Sequence, residues 1–282
     1  MRIRFWGVRG TIPSPGPDTI RYGANTPCID IFTTDQQVII LDAGTGIRPL
    51  GKILEEEHPN RIVATILISH THWDHIQGFP FFLPLLKPRN RFVVVGQRRM
   101  NQALEAVLAG QISEPYLPFA YKELAADIHV KEMSHREYMV IGDATSVRAA
   151  NLNHPGGCLG YRIESDDVVV AYCTDTSHQD NKLDPNVLDL AAKADLLIHE
   201  ASFSLEERNR YPDWGHSSWL EAAQVAATAD VGCLALFHYS PNATDNELEK
   251  MLLQARQIFP RTVLAREGME IDLPLQPGKL PK

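Results

Sequence analysis

A chain of 282 residues is long enough for one large domain or two small ones, with ample length to enclose a sizeable core. Its 27 Lys and Arg against 35 Asp and Glu leave a formal charge of −8, which argues against gripping polyanions through a broad basic surface. The N-terminal MRIRFWGVRG lacks the apolar stretch of a secretory signal, and FPFFLPLL is broken by two prolines, so a cytoplasmic protein without a membrane span is expected.

The chain opens with strand-like segments: RIRFWGV, then CIDIFTT and QVIILDAG around a polar turn. RPLGKILEEEH carries helical spacing, and IVATILIS reads as a strand buried on both faces. After the His-rich stretch ISHTHWDHIQGF come FVVVG as a strand and MNQALEAVLAG as a helix ended by Gly110. ISEPYLPFAY, rich in Pro and aromatics, suits a loop or lid better than a regular element. TSVRAANLNH, CLGYRIES and DVVVAYCTD read as strands, the last two joined by a Ser165–Asp166 turn. LDPNVLDLAAKA is a helix with Pro185 in its first turn, where a missing N–H costs least. DLLIHEA is a strand, SSWLEAAQVAATA a helix opened by serine, CLALFHYS a strand and NATDNELEKMLLQARQIF a helix. TVLAREGMEIDL closes the chain as a strand pair. With no repeat and no linker, this order predicts one α/β domain over 1–282. Two mixed β-sheets would pack together with helices outside, a four-layer αββα sandwich. Cys28, Cys158, Cys173 and Cys233 are far apart and form no CxxC pair, so buried reduced thiols are expected rather than a structural zinc ribbon.

The polar residues that suggest chemistry almost all follow an apolar strand. Asp42 follows VIIL, the cluster His70, His72, Asp74 and His75 follows TILIS, and His154 follows VRAANLN. Asp175 follows VVVAYCT, His199 and Glu200 follow DLLI, and His238 follows CLALF. Side chains at strand ends converge on one edge of a sheet, where α/β proteins bind ligands. His70 and His72, two apart on extended chain, point the same way and can chelate one ion. Asp74 and His75, after the turn, can reach a second ion beside it. Imidazole with carboxylate suits zinc, with manganese or iron also compatible. Four residues cannot complete two sites, and His154, Asp175 and His238 are the available supply. A water shared by two such ions would lose its proton near neutral pH and act as nucleophile.

HTHWDH at 70–75 matches the HxHxDH motif of the metallo-β-lactamase fold superfamily. NLNHPGGCLGYRI, AYCTDT, DLLIHEASF, WGHSSWLEAAQVA and LFHYS resemble its ribonuclease Z-like phosphodiesterase branch, in the family's order over residues 38–240. The opening FWGVRGTIPSPGPDTIRYGANTPC resembles bacterial members of the cyclic-nucleotide phosphodiesterase-like kind. The resemblance implies His70, His72 and His154 on one metal, Asp74, His75 and His238 on the other, and Asp175 bridging both. It makes Asp42 an aspartate that orients ligands, and Glu200 with His216 the pair that handles the leaving group, with Asp74 counted among the catalytic residues. It implies two Zn²⁺, with Mn²⁺ or Fe²⁺ as alternatives, and a homodimer is common among such relatives.

The long Gly-rich and basic arm with which ribonuclease Z grips tRNA has no counterpart between Gly96 and His154. The expected substrate is therefore a small or cyclic phosphodiester, such as a cyclic nucleotide, hydrolysed by metal-bound hydroxide. RNA 3′-end processing ranks behind it, and extended nucleic acid is not an expected partner. A lactonase or thioester hydrolase on the same metals is the alternative.

Plainer readings stand beside these. Asp42 could cap the AGTG turn, and Glu200 with His216 could be only a structural pair. Alternation along DLLIHEA puts His199 opposite Glu200, so it reads as a satisfied buried histidine. His58, His129, His135 and His178 read as surface. Trp73 is placed to line the pocket or to lie outside it, and Tyr116, Phe119 and Tyr121 read as packing sooner than as a stacking site.

Overall fold

A computed structural model describes the chain except residues 101, 180, 181, 277–279 and 282. Fourteen strands form among the described residues, and each sheet takes seven of them. The first sheet comprises β1 (Arg2–Gly7), β2 (Cys28–Phe32), β3 (Val38–Leu41), β4 (Val63–Leu67), β5 (Arg91–Gln97), β6 (Asp127–Met133) and the late β14 (Glu270–Asp272). Their spatial order is β14-β1-β2-β3-β4-β5-β6. The second comprises β7 (Tyr138–Ile141), β8 (Thr145–Leu152), β9 (Cys158–Ser165), β10 (Val168–Cys173), β11 (Leu196–Glu200), β12 (Leu234–Phe237) and β13 (Thr262–Leu264), in the order β13-β12-β11-β10-β9-β8-β7.

Each sheet is half antiparallel and half parallel. β3 to β6 run parallel, as do β10 to β13, and the remaining neighbours are antiparallel. The helices are α1 (Ile47–Glu57), α2 (Trp73–Ile76), α3 (Leu104–Gln111), α4 (Pro185–Ala191), α5 (Leu205–Arg210), α6 (Trp219–Thr228) and α7 (Asp245–Ile258). Ser204, Ser218 and Thr244 accept backbone N–H at the starts of α5, α6 and α7, each inside a capping box with a glutamate three residues on.

Alternation explains why sheets and helices stack in four layers. In β3, Ile39 and Leu41 join the core between the sheets, with Val147, Tyr161, Ile163 and Val170 from the other side. Val38 and Ile40 turn the opposite way, into a second core with Ile47, Leu50 and Leu54 of α1 and Leu104 and Leu108 of α3. A parallel strand covered on both faces reads as a near-continuous apolar run, as VIIL does throughout and ATIL does but for Thr65. The αββα sandwich read from the sequence is thus the observed fold, and none of the described helices is long and apolar enough to cross a membrane.

The structure corrects several local readings. TVLAREGMEIDL is not a hairpin pair: β13 extends the second sheet beside β12, while β14 pairs with β1 in the first. β6 and β7, each at one edge of its sheet, were not foreseen. The helix read from MNQALEAVLAG begins only at Leu104 and passes Gly110 by one residue, and Asn101 lies outside the described residues. ISEPYLPFAY forms turns whose Leu117, Phe119 and Tyr121 pack on the outer core of the first sheet, so the packing reading holds for them, while Tyr116 is exposed. His178 is buried, not on the surface, and stacks on buried His199 at 5.8 Å.

Candidate metal centre

The parallel strands of both sheets end at one rim, and the polar residues that follow them meet there. Three of these residues, Asp42, Asp175 and His238, hold positive φ of 59°, 45° and 54°. Non-glycine residues adopt the left-handed region only when their surroundings enforce it, and such strain gathers at functional sites.

Two nests of donor atoms share one carboxylate. His70, His72 and His154 form the first, with His154 Nε2 3.0 Å from His72 Nδ1. Asp74, His75 and His238 form the second, with His75 Nε2 3.1 Å from His238 Nε2 and Asp74 Oδ2 3.1 Å from the latter. Asp175 lies between them: its Oδ1 is 3.9 Å from both His70 Nε2 and His154 Nε2. Its Oδ2 is 3.1 Å from His75 Nε2 and 3.3 Å from His238 Nε2. The structure therefore brings all seven predicted residues together.

These contacts fit a cation. Ligands at about 2.05 Å in a tetrahedron lie about 3.3 Å apart, close to the spacings within each nest. The outer ring nitrogens are also committed elsewhere. His154 Nδ1 donates to the Gly215 carbonyl at 2.9 Å, and His238 Nδ1 to Ser202 Oγ at 2.9 Å. His75 Nδ1 donates to Asp42 Oδ2 at 2.8 Å, and His70 Nδ1 to Ser69 Oγ at 3.1 Å. Each bond fixes a tautomer whose Nε2 lone pair faces the centre, the usual arrangement around a metal-binding histidine. His70 Nε2, wholly buried, has no hydrogen-bond partner among the described residues. A buried acceptor left open is costly unless something positive meets it.

The electrostatics agree. Burial pushes the pKa of His70, His72 and His154 below the ordinary histidine value, so these rings are neutral and can donate lone pairs. For His75 burial acts the same way, but Asp74, Asp175 and Asp42 outweigh it and raise its pKa well above normal. Burial opposes ionisation of Asp175, yet the surrounding imidazoles hold its carboxyl well below the usual range. Negative charge at the centre of an imidazole shell is thus built into the fold.

Asp42 does more than cap a turn. Fully buried, it accepts from Ser69 N (2.7 Å), Ser69 Oγ (2.9 Å), Tyr172 O–H (2.6 Å) and His75 Nδ1 (2.8 Å). Glu200 and His216 are paired as expected: His216 Nδ1 is 3.2 Å from both Glu200 oxygens and 3.7 Å from Asp175 Oδ1. Burial lowers the His216 pKa, but Glu200 more than offsets this and lifts it to about 9. His199 points away from this pair. Its Nδ1 donates to the Glu200 carbonyl at 2.8 Å, whereas its Nε2 is unpartnered among the described residues, so it is buried but only half satisfied.

Other contributors were not legible. Thr11 N donates to Asp74 Oδ2 at 2.7 Å, which ties the N-terminal loop to the centre. Neighbouring Gly10 lies so close that a Cβ there would sit 2.4 Å from His238 Cε1. Phe203, Tyr211 and Trp214 line a cavity of about 320 Å³ that also borders Gly10, Thr11 and His216. DLLIHEASF ends on Phe203 and WGHSS begins on Trp214, with Tyr211 between the two segments, but no periodic signal marked the rings. Trp73 is 68% exposed and does not line that cavity. A larger cavity of about 630 Å³, beside His178 and Arg208, touches none of the seven nest residues.

Known proteins carry the same frame. The family model described as "Beta-lactamase superfamily domain" matches residues 37–239. The ribonuclease Z of Treponema denticola is 27% identical over 250 residues, covering 75% of this chain and 81% of that protein. The ribonuclease Z of Exiguobacterium sibiricum is 28% identical over 250 residues, 75% of this chain and 82% of its own. Among solved structures, the metallo-β-lactamase fold protein YhfI of Bacillus subtilis superposes with TM-score 0.72 at 20% identity, covering 96% of this chain and 98% of its own. A diphosphatase of the PhnP family superposes with TM-score 0.69 at 18% identity, covering 97% and 98%. The chain belongs to the β-lactamase superfamily domain family and carries the metallo-β-lactamase fold of metal-dependent hydrolases.

Proposed function

We propose that this protein is a two-metal phosphodiesterase acting on a small or cyclic phosphodiester. His70, His72 and His154 would hold one ion, Asp74, His75 and His238 the other, and Asp175 would span both. Zinc suits this donor set best, with manganese or iron as alternatives. Bound there, the metals supply Lewis-acid charge for the phosphoryl oxygens and lower the pKa of a coordinated water. Asp42, through Ser69 and His75, keeps the imidazoles aimed inward.

The observation that carries the phosphodiester reading is the Glu200–His216 pair, seated at the edge of both nests. A departing alkoxide needs a proton, and an imidazolium stabilised by a buried carboxylate supplies it. Glu200 is fixed for that task, since its Oε1 also accepts from Thr176 N at 2.6 Å. The relatives named ribonuclease Z and the PhnP-family diphosphatase support chemistry at phosphorus. The −8 charge favours a small substrate over a long polyanion. Between β5 and β8 the described residues form α3, the turn-rich segment with a short 3-10 turn at Tyr121–Glu123, β6 and β7, with no further element.

The test is a panel of bis(p-nitrophenyl) phosphate, a lactone and a thioester offered to metal-loaded protein. The phosphodiester is expected to be hydrolysed at least tenfold faster per active site than either acyl substrate. Preferential lactone or thioester hydrolysis would keep the metal centre and replace the substrate class.

A further inference from the structure

We infer that Arg208 is a positioning residue for the Glu200–His216 pair: its guanidinium ties the chain that carries His216 to the turn on which Glu200 is held. This rests on the proton-donor reading above and extends it to a side chain that belongs to neither metal nest.

His216 lies on irregular chain between the short turn Pro212–Trp214 and α6. Its Nδ1 stands 3.2 Å from both Glu200 oxygens, longer than the roughly 2.7–2.9 Å of a strong charge-assisted bond. Such a forked contact is set by what holds the two chains. Glu200 is held by the turn after β10, where its Oε1 accepts from Thr176 N at 2.6 Å. His216 reaches the same turn through its neighbour, since Ser217 Oγ donates to the Thr176 carbonyl at 2.5 Å. One residue further, Ser218 N and Oγ donate to Glu221 Oε2 at 2.7 Å and 2.8 Å in the capping box of α6.

Arg208, on α5, joins these anchors. Its Nε donates to Glu221 Oε1 at 3.0 Å, and its Nη2 donates to the His178 carbonyl, two residues beyond Thr176. Its Nη1 stands 3.5 Å from the carbonyl of Pro212, on the chain that leads to His216. One planar fork thus spans the turn that holds Glu200 and the cap beside His216, which a lysine ammonium cannot do. The Arg208 and Glu221 side chains are only 17% and 18% exposed, so solvent loosens the pair little. Packing does not duplicate the clamp. No residue of α5 is buried, and the cavity of about 630 Å³ opens here, lined by His178, Lys182, Leu205, Arg208, Ser218 and Glu221. Where side chains do not interlock, polar bonds set the position, and a misplacement of about 1 Å costs on the order of 10²-fold in rate.

The experiment follows hydrolysis of bis(aryl) phosphates, from p-nitrophenyl to phenyl, by metal-loaded protein, because a misplaced proton donor tells most where the leaving group is most basic. Arg208→Ala is expected to keep the wild-type metal content. It loses little on the nitrophenyl ester and about 10–100-fold on the phenyl ester, so the slope of rate against leaving-group pKa steepens as it does in His216→Ala. Arg208→Lys, which keeps the charge without the fork, falls between. Millimolar guanidinium chloride, entering the cavity at the vacated position, raises phenyl ester hydrolysis by Arg208→Ala about fivefold or more and leaves the wild type unchanged. Melting curves report the fold, and if Arg208→Ala does not fold, Arg208→Lys and Glu221→Gln carry the same comparison of slopes. An equal loss on every ester, or a slope that guanidinium leaves steep, would overturn the assignment. A slope steepened by His216→Ala and not by the Arg208 variants removes the positioning role alone. If His216→Ala leaves the slope unchanged, the proton-donor reading falls first and the role of Arg208 with it.

Discussion

His216→Ala is expected to keep its metal content and to lose about 10²–10⁴-fold in turnover on esters with alkoxide leaving groups, the usual worth of a positioned general acid. The same variant should lose far less on bis(p-nitrophenyl) phosphate, because p-nitrophenolate departs without a proton. The reason is geometric. His216 reaches Glu200 at 3.2 Å through Nδ1 and belongs to neither of the two metal nests proposed above, although its ring stacks on His238 at 5.6 Å. Metal analysis and the slope of rate against leaving-group pKa check this together. Equal losses on both ester types would remove the proton-donor role and leave His216 a structural neighbour of Glu200.

Asp42→Ala should weaken metal binding about 10–100-fold, as removal of the group behind a metal-binding histidine does. It should also destabilise the metal-free protein by about 3–5 kcal/mol, because three buried donors besides His75 lose their acceptor at once. The backbone adds to this, since alanine at φ 59° is strained where aspartate is tolerated. Asp42→Asn keeps the shape and half of the acceptors and should fall between the wild type and Ala. Urea titration of metal-free protein and competition with a zinc chelator measure the two effects separately. An Asp42→Ala protein that binds zinc as tightly as wild type would mean that the aspartate serves only the fold.

The centre was legible because each of its seven residues follows an apolar strand, and apolar strands are the strongest signal in the chain. HTHWDH stood out alone, and His154, Asp175 and His238 gained meaning from the segments around them. Ser69, Tyr172, Ser202 and Thr11 were not legible, since a hydroxyl or a backbone N–H carries no mark of the carboxylate or imidazole it meets across the fold. The layers followed from the order of the elements, strands first and then helices alternating with strands in both halves. The edge strands did not, although DIHVKEM alternates in burial along β6: its buried side is formed by half-exposed Ile128 and Val130, too weak a stripe beside its charges. β13 and β14 are three residues each, short enough that adjacency in sequence suggested one pair where tertiary packing sends them to different sheets. His178 was misplaced for a related reason. It follows the apolar β10 by five residues in a polar context, and only the fold carries that segment inward, where His178 Nδ1 accepts from Asp184 N at 2.9 Å.

The most direct measurement titrates zinc into metal-stripped protein while following bis(p-nitrophenyl) phosphate hydrolysis and bound metal together. The two-nest centre predicts no activity without metal and a rise that reaches its plateau at two equivalents per chain. Full activity in the stripped protein, or saturation at a single equivalent with no second ion bound, would contradict it.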